Sequence, residues 1–91
     1  MKHFSWSFVK NQQLITERKV SFEEVVYYIE RGLILDIVEH PSQEKYAMQR
    51  IFIIDINDYA YLVPYVESKE EAFLKTIIPS RKATKMYLRR D

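Results

Sequence analysis

Two apolar segments separated by only two polar residues limit the folds open to this chain. Positions 50–56 are rich in β-branched residues, and positions 59–66 form a second apolar segment. Asn57 and Asp58 between them are residue types that favour a two-residue turn, so the sequence predicts a β-hairpin. Pro64 in the second segment cannot donate a ladder hydrogen bond, and it therefore predicts an edge position or a bulge.

Three further segments have the composition of strands. Positions 33–39 are too short and too apolar for a helix and predict a strand, as do positions 72–78. Positions 3–7 alternate apolar and polar side chains, with Phe4 and Trp6 on one face. This alternation predicts either a short strand or an N-terminal arm.

Two helices are predicted between the N-terminal segment and the first long strand. Positions 8–18 are weakly amphipathic and contain no helix breaker. Positions 22–31 are better marked, because Ser21 and Glu24 form a capping box and apolar residues follow at helical spacing. Gly32 ends this second helix, since glycine adopts the left-handed backbone after a last turn at the lowest cost.

The order of these elements defines the fold class. Strands joined by short turns form antiparallel sheets, and helices must bury their apolar stripe against such a sheet. The sequence therefore predicts an α+β fold with two N-terminal helices, a mainly antiparallel sheet of four strands, a short N-terminal strand in addition, and a C-terminal helix. We expect the helices to cover one face. The 91 residues fit a single domain spanning 1–91.

Composition excludes several classes of function. The chain has no cysteine, so disulfides, thiolate zinc sites and cysteine nucleophiles are ruled out. Gly32 is its one glycine, which excludes phosphate-binding loops that need several. No segment has the roughly 18–20 apolar residues of a membrane span. We expect a soluble cytoplasmic protein with no membrane contact, no metal and no other cofactor.

The C-terminal segment, positions 77–91, concentrates positive charge. It carries five of the fourteen Lys and Arg residues against one acidic residue, whereas positions 1–80 hold nine basic and twelve acidic residues. Ser80 is a candidate N-cap for a helix there. Such a segment suits a phosphate backbone or an acidic protein partner, and it is equally typical of a solvated helix end.

Short motifs along the chain, taken in order, resemble a known family. They are Phe4-Ser5-Trp6, Lys10-Asn11, Val20-Ser21-Phe22-Glu23-Glu24, Glu39-His40, Glu44-Lys45-Tyr46, and Ile77-Ile78-Pro79-Ser80-Arg81-Lys82-Ala83 with Tyr87. Their order and spacing resemble the BrnT-type toxins of bacterial type II toxin–antitoxin systems. The resemblance spans essentially the whole chain. It implies a RelE-like fold and a toxin that cleaves RNA until a cognate antitoxin binds it in a hetero-oligomer.

Three residues are candidates for catalysis of RNA cleavage. Without a metal, this reaction needs a base for the 2′-hydroxyl, an acid for the leaving 5′-oxygen and cations for the phosphate. His40 stands beside a proline at a strand end, and imidazole ordinarily titrates near neutral pH. Arg81 offers a planar fork for phosphate at a helix start. Tyr87 resembles the family tyrosine. The alternatives are a surface histidine, a solvated arginine and a core tyrosine.

Six further residues are candidates for RNA binding: Lys45, Arg50, Tyr61, Lys75, Lys82 and Lys85. The cations would hold phosphates, and Tyr61 with the neighbouring strand tyrosines would stack on exposed bases. Alternatives stay open for several of them, and Lys45 and Lys82 could simply be solvated. Arg50 could pair with Asp55 or Asp58 across the sheet, and Tyr61 could pack under a helix.

A second class of function stays open beside the ribonuclease toxin. The same basic helix could dock an acidic protein segment or nucleic acid in a domain that performs no chemistry. The partners expected from the sequence are therefore a cognate antitoxin protein and RNA, free or on the ribosome. A structural role inside a larger complex is a third interpretation.

Overall fold

A computed structural model describes residues 3–89. The elements in chain order are β1 (His3–Trp6), α1 (Phe8–Arg18), α2 (Phe22–Glu30), β2 (Ile34–Glu39), β3 (Gln49–Ile56), β4 (Tyr59–Glu67), β5 (Glu71–Leu74), β6 (Ile78–Pro79) and α3 (Arg81–Tyr87). Arg90 and Asp91 of the basic C-terminal segment lie outside the described residues. Between residues 3 and 89, no helix has the length and apolar character needed to cross a membrane.

The strands form one mixed sheet in the order β1-β5-β4-β3-β2, with β6 paired to β4. The β2–β3, β3–β4, β4–β5 and β4–β6 pairs are antiparallel, whereas β1 and β5 are parallel. The predicted α+β class is confirmed. The short N-terminal segment is a strand rather than a free arm, and its parallel partner lies far along the chain.

The hairpin at the centre of the sheet is confirmed. Asn57 and Asp58 have φ angles of 55° and 67°, which is the left-handed backbone that a two-residue turn between twisted strands requires. The Asp55 carboxylate accepts a hydrogen bond of 2.9 Å from the Asp58 amide. The turn joins β3 to β4, which pair over their full length from Gln49 opposite Val66 to Ile56 opposite Tyr59.

The predicted strand at positions 72–78 is wrong as a single element. β5 pairs with one end of β4 and β6 with the other, and Lys75 between them lies outside both strands. The Lys75 amide donates a 2.8 Å hydrogen bond to the Pro64 carbonyl. The N–H and C=O of a strand residue point to the same side of the strand. The carbonyl of Pro64 points to the break between β5 and β6, so the N–H that proline lacks would also have pointed there, where no strand needs it. The proline thus lies inside a paired strand, at the gap between its two partners.

Both helix caps predicted for α2 are observed. The Ser21 hydroxyl accepts from the Glu24 amide at 3.1 Å. At the other end, Gly32 has a φ of 77°, its amide donates to the Ile29 carbonyl, and the Leu33 amide donates to the Tyr28 carbonyl. These two bonds are a Schellman motif, so the glycine serves the backbone of the helix end.

The helices cover opposite faces of the sheet, and the expectation that they cover one face is wrong. One buried cluster joins α1 and α2 to the sheet through residues such as Leu14, Phe22 and Ile54. The other joins α3 to the opposite face through Ala83, Ile51 and Ile53. Strand β3 is apolar at successive positions because both of its faces are buried, and that pattern is typical of a sheet between two helical layers.

Candidate functional site

The start of α3 is fixed to the start of β4 by backbone and side-chain hydrogen bonds. Ala60, in β4, accepts a hydrogen bond from the Ser80 amide at 3.0 Å and donates one to the Thr84 hydroxyl oxygen at 2.9 Å. The Thr84 hydroxyl in turn donates to the Ser80 carbonyl at 2.7 Å. The predicted N-cap is confirmed, because the Ser80 hydroxyl accepts from the Ala83 amide. These bonds hold the first turn of α3 against the sheet.

The end of α3 is held by Tyr87. Its hydroxyl donates a 2.7 Å hydrogen bond to the Asp36 carboxylate in β2. Strand β2 has an irregular register here, with Ile34 opposite Ile54 but Asp36 opposite Ile53. Residues two apart on a regular strand share a face, so this bulge at Leu35 turns Asp36 toward the α3 side.

The contact with Asp36 sets the chemistry of the tyrosine. The hydrogen bond to the carboxylate, with partial burial and the nearby negative charge, raises the pKa of Tyr87 above its usual value of 10.0. Near neutral pH the phenol is therefore a hydrogen-bond donor. Catalysis by Tyr87 would use it as a donor rather than as a base.

Three predicted cations lie on the exposed surface of α3. Arg81, Lys82 and Lys85 are all exposed, and no acidic residue occupies the first turn of the helix. The helix has seven residues, and its cap already uses the Ala83 amide. Anion binding at this surface therefore depends on the three side chains more than on free helix amides.

A groove of about 340 Å³ lies between α3 and the end of β2. Lys82, Ala83, Met86 and Tyr87 line it from the helix, Val38, Glu39 and Pro41 from β2 and the following loop, and Ile51, Ile53 and Leu62 from the sheet. The groove brings Lys82 and Tyr87 to one surface, and Pro41, the residue that follows His40, lies beside them. Met86 is 64% exposed, whereas Ala83 on the same helix is buried.

His40 is engaged in the loop that follows β2. Its Nδ1 accepts a 3.1 Å hydrogen bond from the Ser42 amide, and its ring lies 4.3 Å from that of Tyr46, measured between centroids. An imidazole that accepts at Nδ1 carries its proton on Nε2 when neutral. His40 can therefore offer a donor, whereas its basic nitrogen already holds the loop together.

Lys45 belongs to the same loop. Its Nζ lies 5.4 Å from the centroid of the Tyr46 ring, within the range of a cation–π contact. Lys45 and Tyr46 thus form a small cluster with His40, in which the histidine and tyrosine rings are tilted by 36°. Lys45 is exposed and can also reach an anion.

Arg50 and Tyr61 are placed away from the α3 surface. Arg50 Nη1 lies 3.7 Å from a carboxylate oxygen of Glu67, so the predicted partners Asp55 and Asp58 are wrong. This pair lines a separate, more polar cavity of about 430 Å³. Tyr61 packs against the cluster under α1 and α2, on the face opposite α3.

Lys75 also lies apart from the groove. It is exposed in the short connection between β5 and β6. The predicted set therefore divides into two parts. Lys82 and Tyr87 line the groove, Arg81 and Lys85 are exposed on the same helix, and Pro41, which follows His40, also lines the groove. Lys45, Arg50, Tyr61 and Lys75 do not line it.

Three residues that shape this architecture have no role predicted from the sequence. Asp36 accepts a hydrogen bond from Tyr87, and Thr84 accepts one from the Ala60 amide at the start of β4. Asn11, which is 3% exposed, joins α1 to α2 by accepting from the Phe22 amide and donating to the Glu23 carboxylate, both at 2.8 Å. A polar residue between apolar positions of α1 was the one available signal for Asn11.

The fold and the site together define a small α+β protein with a cationic helix, α3, packed on the face of the sheet opposite α1 and α2. Comparisons with protein-family models, curated proteins and solved structures found no match for the chain.

Proposed function

We propose that the protein is the toxin component of a type II toxin–antitoxin pair, related to RelE-like ribonucleases, and that it acts on RNA in the cytoplasm. The observation that carries the proposal is the α3 surface, where Arg81, Lys82 and Lys85 are exposed beside a groove that Tyr87 lines. Clustered cations attract a phosphate backbone, and the short motifs that resemble BrnT-type toxins give this surface its biological setting.

The cleavage step in this proposal is metal-independent. The 2′-hydroxyl oxygen attacks the adjacent phosphorus while its proton passes to a base, the bond from phosphorus to the 5′-oxygen breaks, and that oxygen takes up a proton. Arg81 and Lys82 stabilise the charge on the phosphate. His40 can donate a hydrogen bond from Nε2, because its Nδ1 accepts from the Ser42 amide. The proton for the 5′-oxygen comes from the Tyr87 hydroxyl, which exchanges its hydrogen bond to Asp36 for one to the leaving oxygen. The groove lining offers one carboxylate, Glu39, for the base.

Induced expression in a bacterium tests the proposal. The wild-type chain should arrest growth, and Arg81→Ala combined with Lys82→Ala should relieve the arrest. Lys10→Ala is a control for the loss of a cation outside this surface, because Lys10 lies in α1, which packs against the opposite face of the sheet. Growth that continues unchanged with stable wild-type protein in the cell would contradict the proposal. Arrest that survives loss of both cations would contradict the assigned surface.

A second candidate is a binding module without catalysis. It is favoured by one observation, namely that His40 Nδ1 and the Tyr87 hydroxyl already have partners within the chain. In that case the α3 cations would retain RNA or an acidic protein segment without cleaving it. Wild-type protein that binds RNA in a gel-shift assay but leaves it intact would select this candidate.

A further inference from the structure

The carboxylate of Asp36 accepts two hydrogen bonds that come from different elements of the fold. Its Oδ1 accepts from the Ile37 amide at 2.8 Å, which ties the side chain to its own strand, β2. Its Oδ2 accepts from the Tyr87 hydroxyl at 2.7 Å, which joins it to α3. A side chain that a second hydrogen bond locks in place can hold another group in a defined position. The bond to Ile37 therefore fixes the position from which Asp36 meets the tyrosine.

The pairing of β2 with β3 does not use the Ile37 amide. β2 is the last strand of the sheet, so alternate amides of β2 point away from β3. The His40 amide donates to the Gln49 carbonyl in β3, which places the Ile37 amide, three residues earlier, on the outer edge. The bulge at Leu35 turns Asp36 toward the α3 side, and bulges beside active sites commonly re-aim a side chain in this way. This local arrangement serves the contact with α3 rather than the sheet.

Asp36 is the carboxylate that controls the phenol of Tyr87. Among the described residues that line the groove beside the tyrosine, the charged ones are Glu39 from β2 and Lys82 from α3. The sheet and the loop after β2 line it with groups that do not titrate: Pro41, Ile51, Ile53 and Leu62. The pKa of Tyr87 is raised by its hydrogen bond to Asp36, by partial burial and by the charge of the same carboxylate. Both the direction and the protonation of the hydroxyl therefore depend on Asp36.

We infer that Asp36 is a positioning residue for RNA cleavage, which aims the Tyr87 hydroxyl and keeps its proton in place until the leaving oxygen takes it. The inference rests on the proposed function, in which Tyr87 supplies the proton for the 5′-oxygen. In this role Asp36 contacts neither the RNA nor the reacting atoms. It acts through the tyrosine alone.

The proton of Tyr87 moves in two steps. As the bond from phosphorus to the 5′-oxygen breaks, the hydroxyl gives its proton to that oxygen and becomes a phenolate. The phenolate then takes a proton from water and again donates to Asp36. Because two adjacent negative charges repel each other, the carboxylate favours the return of the proton over a lasting phenolate.

Asp36→Asn tests the inference, because it removes the charge at nearly constant size. For RNA cleavage, kcat should fall about threefold or more while KM stays within about twofold, since Asp36 does not bind RNA. The alkaline decline of kcat should also move to lower pH, because the uncharged side chain no longer raises the pKa of Tyr87 to the same extent. Both proteins should carry Lys82→Arg, because a lysine titrates in the same range of pH and an arginine does not.

Two comparisons separate a positioning role from a structural one. Asp55→Asn is the matched control, because the Asp55 carboxylate also accepts from a backbone amide, that of Asp58, and does not line the groove. It should leave the pH dependence of kcat unchanged. In a Tyr87→Phe background, Asp36→Asn should lower kcat no further, because the hydroxyl through which Asp36 acts is already absent.

Carbon-13 NMR of labelled tyrosine rings measures the contact without any RNA. Tyr87→Phe identifies the resonance of Tyr87, which should titrate at lower pH in Asp36→Asn than in the wild type. If circular dichroism shows that Asp36→Asn is unfolded, Asp36→Ser gives the same test with a smaller uncharged side chain.

Other results would overturn the inference. If the folded Asp36→Asn protein cleaves RNA with an unchanged pH dependence of kcat, Asp36 has no part in the reaction, although the chain is still a ribonuclease. If Asp36→Asn lowers kcat further in the Tyr87→Phe background, Asp36 stabilises the fold rather than positions the hydroxyl. A wild-type chain that cuts no RNA would refute the proposed function itself, and the role of Asp36 with it, whatever the NMR titration shows of the contact.

Discussion

Asn11 holds the two N-terminal helices together, and its replacement should destabilise the whole fold. Its side chain is almost fully buried, and its carbonyl oxygen accepts from the first amide of α2. Asn11→Ala leaves the Phe22 amide buried without an acceptor, which costs about 1–3 kcal/mol. The variant also loses the donor to the exposed Glu23, a smaller contribution because water replaces it. We expect a total loss of about 2–3 kcal/mol.

A pair of charge changes tests the geometry itself. Asn11→Asp keeps an acceptor for the Phe22 amide but places a carboxylate against that of Glu23, so it should also destabilise the fold. Adding Glu23→Gln restores a donor–acceptor pair with its polarity reversed, since the glutamine amide can donate to the aspartate. The double variant should recover at least about 1 kcal/mol relative to Asn11→Asp alone.

Urea denaturation followed by circular dichroism measures these differences. Gln12→Ala is the control, because Gln12 is an exposed neighbour on the same helix and its loss should cost no more than about 0.5 kcal/mol. If Asn11→Ala costs as little as this control, the buried amide is not what stabilises the junction. If Glu23→Gln gives Asn11→Asp no recovery, the two side chains do not interact as described.

Three further changes test the contacts that hold α3 and α2. Thr84→Val deprives the Ala60 amide of its acceptor and should cost about 1–3 kcal/mol in denaturant unfolding, whereas Thr84→Ser should cost less. Tyr87→Phe should lower the thermal midpoint at neutral pH. The pKa of Tyr87 is raised in the folded state, so its hydrogen bond contributes fully to stability below the unfolded pKa of about 10. This contribution is lost as the pH rises through the folded pKa. The difference in thermal midpoint between Tyr87→Phe and wild type should therefore narrow in strongly alkaline buffer. Gly32→Ala, at a φ of 77°, should cost about 1 kcal/mol, and Gly32→Asn less.

Local features of the fold were readable from the sequence because each depends on neighbouring residues. The Asn57-Asp58 turn, the Ser21 cap and the Gly32 helix end are all determined within a few positions of the chain. The division of the segment at 72–78 into two strands was not readable. It depends on which part of β4 each half meets, and the pairing of Lys75 with Pro64 is visible only in the folded chain.

The remaining errors concern contacts between residues that are far apart in the sequence. The parallel pairing of β1 with β5 joins segments separated by most of the chain, and no local pattern encodes it. The sequence does carry a signal that α3 covers the second face of the sheet. Residues 51–54 are apolar at every position rather than at alternate ones, which indicates a strand buried on both faces. Tyr61 was assigned to RNA binding by strand phase alone, and the phase does not reveal which face α1 and α2 cover.

The candidate site was predictable only where its residues depend on local sequence. Arg81, Lys82 and Lys85 follow a cap that the sequence marks, so their exposure on one short helix could be anticipated. Asp36 could not be linked to Tyr87, because a bulge at Leu35 decides which face the aspartate occupies. The bond of His40 to the Ser42 amide likewise depends on the loop conformation.

Analysis of RNA ends after incubation with the purified chain tests the central claim most directly. End-labelled RNA in buffer with EDTA should be cut to fragments that end in 2′,3′-cyclic phosphate, because the 2′-hydroxyl is the attacking group in the proposed reaction. The same assay with Arg81→Ala and Lys82→Ala combined should give far less product, while Lys10→Ala should match wild type. RNA that stays intact with folded wild-type protein, both free in EDTA and on ribosomes in a separate assay with Mg²⁺, would contradict the claim that this protein is a ribonuclease.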